Sequence, residues 1–272
     1  MQRAFYLWPV LLLWSTLHAW ADARLTVLVD VMRLSEAAQI LSNEGIGQAA
    51  DINTDMLGGQ GGAGWQQQVA RIYAPELMVE LLRAELAQEL QGEELEQVIS
   101  FFASDLGDKI VSLENTARVA IQEPDVEAAA RARLAELEEE GDDPRLAQIT
   151  AYIDSGDMIS RNVVSAINSN FQFLRGLADG GAIEMTEEEM LADAASDLEG
   201  TTEDTAGWLT SFLLLAYHPL EDDELDSYIA FSETSAGQAL NTALFNGFGK
   251  AYEDISYALG RAVALNMQAQ EL

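Results

Sequence analysis

Apolar residues recur along this chain at every third or fourth position, and the two-residue alternation of a half-buried strand is scarce. The stripes break at Pro75, Pro124, Pro144 and Pro219 and at the turn-forming runs GGQGGAG (58–64), EEEGDDP (138–144) and ADGG (178–181). Proline ends or begins a helix because it lacks an N–H, and glycine and aspartate supply the turns between. The pattern predicts an all-α protein. Its helices are expected at about 25–43, 65–73, 75–91, 93–103, 105–122, 124–140, 144–154, 157–178, 186–198, 203–217, 222–233 and 235–268.

Two stretches share one pattern. Residues 94–107, ELEQVISFFASDLG, and 224–237, ELDSYIAFSETSAG, both fit Glu-Leu-x-x-x-Ile-x-Phe-x-x-Ser/Thr-x-x-Gly. In the first, Leu95, Val98, Ile99 and Phe102 fall on one helical face; in the second, Leu225, Tyr228 and Ile229 keep the same phase and Ser232 replaces the fourth. Ile99 and Ile229 are each followed two positions on by a phenylalanine, Phe101 and Phe231. Glu94 and Glu224 belong to first helical turns, where carboxylates meet the positive end of the macrodipole. Ser104 and Thr234 are expected to cap the next helix, and Gly107 and Gly237 to let that helix approach its predecessor closely, which would offset the roughly 1 kcal/mol a helical glycine costs. Apolar stripes then resume at Ile110, Leu113, Ala117 and Ala120, and at Leu240, Leu244, Phe248, Ala251 and Ile255. Each copy therefore encodes a helix, a capped corner and a second helix. The expected organisation is a first helical unit over 22–122, an acidic connecting helix and turn over 123–145, and a second unit over 146–272, packed in a bundle-like array.

The motif resembles the core signature of the domain of unknown function 2059 family, helical domains of exported bacterial proteins. The resemblance is good over roughly 75–122 and fair over roughly 205–265. Members usually follow the phenylalanine with a second aromatic, kept as Phe102 and lost as Ser232, and often place proline after the capping residue, where this chain has Asp105 and Ser235. The resemblance implies a helical fold and an exported protein; it implies no catalytic residues.

The N-terminal run MQRAFYLWPVLLLWSTLHAWADA agrees with export. Arg3 precedes an apolar stretch shorter than the roughly 20 residues of a spanning helix, and Ala19-Trp20-Ala21 is a small-x-small cleavage pattern, so residues 1–21 read as a signal peptide. Cysteine is absent, which removes disulfides, thiol chemistry and the attachment point of a bacterial lipid anchor. A soluble periplasmic protein without a membrane span in its mature part is the expectation. The charge is one-sided, with 14 Lys+Arg against 46 Asp+Glu and a net charge of −32. Without clustered cations to displace phosphate counterions, nucleic acid and anionic membrane surfaces are excluded as partners.

Candidate chemistry is thin. His18 falls in the signal peptide, and His218 before Pro219 suits a helix C-terminus better than a catalytic triad. Zinc lacks ligands. The run DINTDMLGGQGG from Asp51 opens like a calcium loop but has Met56 and Gly62 where the loop needs glycine and glutamate. Gly59, Gly61 and Gly64 fit G-x-G-x-x-G with no preceding strand, and NGFGKA (246–251) lacks the remaining residues of a phosphate loop. Trp65, Tyr73, Trp208, Phe212 and Tyr217 fall on apolar faces as core residues. No cofactor or metal is expected. The sequence favours a non-catalytic binding module of the cell envelope whose partner is another envelope protein or a hydrophobic ligand, with Tyr252, Ile255 and Leu259 either sealing the two units or lining the binding surface. The alternative is a carboxylate-dependent hydrolase, which would place convergent, partly buried Asp and Glu in a cleft.

Overall fold

The computed structural model describes residues 22–270; the expected signal peptide lies outside them. All regular structure among the described residues is helical. Residues 22–31 form α1, followed by α2 (Leu34–Leu57), α3 (Gly62–Ile72), α4 (Pro75–Glu89), α5 (Gly92–Phe102), α6 (Asp105–Ala120) and α7 (Pro124–Glu140). The chain continues through α8 (Pro144–Ser155), α9 (Met158–Asp179), α10 (Glu187–Ala194), α11 (Leu198–Tyr217), α12 (Asp222–Ser232) and α13 (Ser235–Gln270). Pro75, Pro124 and Pro144 open α4, α7 and α8, where the N–H they lack has no helical partner to lose.

Three boundaries depart from the periodicity. The helix expected over 25–43 is broken at Arg33, which takes a left-handed conformation (φ 48°) with its guanidinium on Asp108. Beyond the break α2 continues to Leu57, so Asp51–Leu57, the stretch that imitates a calcium loop, is helical. It is held there by the Trp65 indole N–H, which donates to the Ala49 carbonyl at 3.2 Å. Gly58 closes α2 at φ 58°, a conformation glycine adopts without Cβ strain, and the Gly59 N–H then reaches the Asn53 carbonyl at 2.9 Å. Finally, the helix expected over 186–198 stops at Ala194, and α11 starts at Leu198, because the Asp197 carboxylate accepts the Gly200 N–H at 3.2 Å and caps it.

The core divides into two clusters that α13 joins. In the first, Leu28, Val98, Phe102 and Ile110 pack with Ile149, Tyr217, Leu225 and Leu240. In the second, Ala38, Trp65, Val69 and Tyr73 pack with Leu177, Ile255, Leu259 and Val263. Residues from both halves of the chain meet in each cluster. Ile255 and Leu259 are buried in the second cluster and Tyr252 is half-buried. Along the second cluster α13 crosses α9 at backbone contact: a Cβ on Gly176 would lie 2.3 Å from the Tyr257 carbonyl, and one on Gly260 would lie 2.1 Å from the Phe173 carbonyl.

Candidate functional site

The two motifs meet face to face. In the first, the Ser104 hydroxyl accepts the Gly107 N–H at 3.1 Å, and in the second the Thr234 hydroxyl accepts the Gly237 N–H at 3.1 Å. A Cβ on Gly107 would lie 2.3 Å from the Phe101 carbonyl, and one on Gly237 would lie 2.3 Å from the Phe231 carbonyl. Leu95, Ile99 and Leu225 are buried, whereas Ile229, Phe101 and Phe231 are half-buried. The Phe101 and Phe231 rings stack with centroids 4.0 Å apart and planes 9° from parallel, so residues at the same motif position touch each other. The acidic positions differ. Glu94 sits in the first turn of α5. Glu224 receives Lys109 from the other corner and accepts the Glu221 N–H at 2.9 Å, and these two contacts hold its carboxyl below the ordinary value.

Chemistry lies beside this seam, on residues outside the shared motif positions, though Tyr228 falls within the second stretch. Glu114, two turns into α6, points the same way as Ile110 and Ala117 and therefore into the protein. Its Oε1 accepts the Tyr217 hydroxyl of α11 at 2.5 Å and the Tyr228 hydroxyl of α12 at 3.4 Å, and Tyr152 of α8 donates to Tyr228 at 2.8 Å. Four helices thus bring one carboxyl and three phenols together. Burial pushes the Glu114 carboxyl above its ordinary value, against the opposing pull of the two hydroxyls that donate to it. Burial, then the Glu114 charge, pushes Tyr217 and Tyr228 well above the ordinary phenol range.

Glu114 also lines a cleft of about 220 Å³. Ile40 and Leu41 of α2, Met158 of α9, and Phe212 and Leu213 of α11 make its apolar wall; Glu114, Asn115, Arg118, Tyr152 and Tyr217 supply its polar groups. The Arg118 guanidinium is engaged by Glu44 through two hydrogen bonds of 3.0 and 2.9 Å and lies over the Trp208 ring at 4.9 Å. Asn115 is buried, and its amide nitrogen has no hydrogen-bond partner. A buried donor without a partner costs about 1–3 kcal/mol and is relieved by an acceptor on a ligand or water.

Sequence reasoning missed this cluster. A signal was present, since Glu114 interrupts the buried face of α6 with an acid, yet a chain with 46 acids makes any one of them inconspicuous. The other sequence candidates are scattered: His218 is exposed at the end of α11, Gly59 and Gly61 lie between α2 and α3, and Gly64 lies within α3. Among the described residues, no group of three or more His, Cys, Asp or Glu is placed to hold a metal ion, and no helix is long and apolar enough to cross a membrane.

Fold and site together define an all-α protein with an apolar cleft around one tyrosine-held carboxyl. Residues 76–136 match the model of a family described as "Uncharacterized protein conserved in bacteria (DUF2059)". That segment, from α4 through most of α7, carries a domain of this family, as the first motif predicted. The matched residues include Glu114 and end before the second motif. No curated protein and no solved structure matches the chain.

Proposed function

We propose that the protein is a non-catalytic binding module of the bacterial cell envelope, exported by a signal peptide at residues 1–21 and soluble in the periplasm, and that it holds a hydrophobic ligand in the Glu114 cleft. The observation that carries this reading is the cleft's composition: an apolar wall from three helices converging on a few polar groups. A cavity of about 150 Å³ suffices for benzene, so about 220 Å³ suits a small ring system or a short branched chain. Hydrolysis by paired carboxylates needs a second acid facing the first. Here the hydrogen-bond partners of Glu114 are phenols, and Arg118 beside it is engaged by Glu44, which supports binding over hydrolysis.

The same reading takes the two corners as one unit used twice, over 22–122 and 146–272 with 123–145 between them. Equal cap bonds, equal backbone approach at the glycines and the stacked Phe101 and Phe231 rings support it. The proposed function is tested with the apolar fluorophore N-phenyl-1-naphthylamine and the purified protein. Wild type is expected to enhance its emission, and Leu41→Trp, which fills the cleft, to abolish the enhancement while the circular dichroism stays helical. Equal enhancement in a folded Leu41→Trp protein refutes the cleft as the binding place.

A further inference from the structure

The hydrogen bonds of Glu114 are unevenly shared between its two oxygens. Oε1 accepts both phenol hydroxyls, whereas no described residue bonds Oε2. Oε2 is not among the fully buried side-chain atoms and Glu114 lines the cleft, so Oε2 is the oxygen free to accept a ligand's charge. Tyr152, Tyr217 and Phe212 line the same cleft as Glu114. Aromatic faces carry negative electrostatic potential and attract cations, most strongly where water is excluded. The protein's net charge of −32 further concentrates cations at its surface.

We infer that the cleft takes an apolar organic cation, a quaternary or hindered tertiary ammonium on a hydrocarbon skeleton. Its charge sits against Glu114 Oε2 and the aromatic rings, and its skeleton lies on Ile40, Leu41 and Leu213. A quaternary ammonium is weakly hydrated and has no N–H to satisfy, so it enters an apolar cleft at less desolvation cost than a lysine-like amine. The inference rests on the cleft being an apolar binding site, as proposed above.

The titratable and charged groups facing Glu114 are Arg118 on its own helix, Glu44 of α2 paired with that arginine, Tyr152 of α8, Tyr217 of α11 and Tyr228 of α12. Glu44 compensates Arg118, and the phenols are neutral at ordinary pH. In the empty cleft, burial favours the protonated carboxyl; a bound cation favours the ionised one. Binding therefore releases a proton from Glu114, and affinity rises with pH until the empty site is itself ionised.

The test compares benzyltrimethylammonium with its uncharged isostere neopentylbenzene as displacers of N-phenyl-1-naphthylamine, from about pH 5 to about pH 9, a window reaching well above the ordinary carboxylate range. The cation is expected to bind about tenfold more tightly than the isostere at the alkaline end, a ratio within reach of one desolvated cation–π contact plus a carboxylate. The ratio should shrink toward the acid end. Glu114→Gln and, separately, Phe212→Leu should each lower it in proteins that remain helical, so the test does not hang on one variant folding. An isostere that binds as well as the cation at every pH overturns the cation assignment while leaving the cleft as an apolar site. Failure of both compounds to displace the probe, together with unchanged probe binding by Leu41→Trp, overturns the cleft reading itself.

Discussion

Replacing Gly107 by alanine isolates the close approach at the first corner. A Cβ at this position would lie 2.3 Å from the Phe101 carbonyl oxygen and 2.5 Å from the Phe102 Cα. Both are backbone atoms of α5, so no rotamer change relieves the contact. The start of α6 must swing away by about 1 Å to reach ordinary contact, and doing so strains the Ser104 cap, whose bond goes to the Gly107 N–H itself. Overpacking of this kind costs about 1–3 kcal/mol and a lost cap about 1, against about 1 gained from alanine's helix propensity. The net expectation is a loss of about 2 kcal/mol, read as a lower urea midpoint with unchanged slope. Gly64→Ala is the control: it lies within α3 with nothing inside 4 Å of its Cβ, and should gain up to about 1 kcal/mol. A Gly107→Ala protein as stable as Gly64→Ala would refute the argument that backbone contact is why glycine stands at this corner.

Further outcomes follow from other contacts. Ser104→Ala and Thr234→Ala should each lower stability by about 1 kcal/mol in urea unfolding, the usual worth of an N-cap. Gly176→Ala or Gly260→Ala, where α9 and α13 touch through backbone, should be at least as costly as Gly107→Ala in the same assay. For Glu114 the sign is set by its raised folded pKa: between the ordinary value of 4.5 and the higher folded value, the folded state holds more protons than the unfolded one, so wild-type stability falls as pH rises. Glu114→Gln lacks that decline. The difference in urea midpoint, variant minus wild type, should therefore grow with pH across this window, and a difference that shrinks instead would contradict a Glu114 carboxyl raised above its ordinary value.

Helical class, most element boundaries and both corners were legible in the sequence because their causes are local. A 3.6-residue apolar stripe, a hydroxyl just before a helix and a proline at its first position act within one or two turns, so a reader of the chain sees them without knowing what packs where. The break at Arg33 and the extension of α2 to Leu57 escaped the periodicity, and the contacts made there are distant in sequence: the Arg33 guanidinium pairs with Asp108, and the Trp65 indole bonds the Ala49 carbonyl of α2. The match over residues 76–136 covers the stretch where the local pattern was strongest.

The Glu114–tyrosine cluster belongs to the other kind of information. Tyr152, Tyr217 and Tyr228 come from three helices, and nothing in their spacing relates them to Glu114, whose hydrogen bonds span 103 positions to Tyr217 and 114 to Tyr228. Tyr228 was recognised as a stripe residue; its role as a donor to Glu114 depends on α12 facing α6. Hydrophobic periodicity determines which face of each helix is buried, since water sorts side chains by polarity regardless of partner. Which carboxyl is enclosed by which phenols, and where an apolar wall is left unfilled, depends on how those faces meet, and only the packing of α2, α6, α8, α9, α11 and α12 around one another decided that.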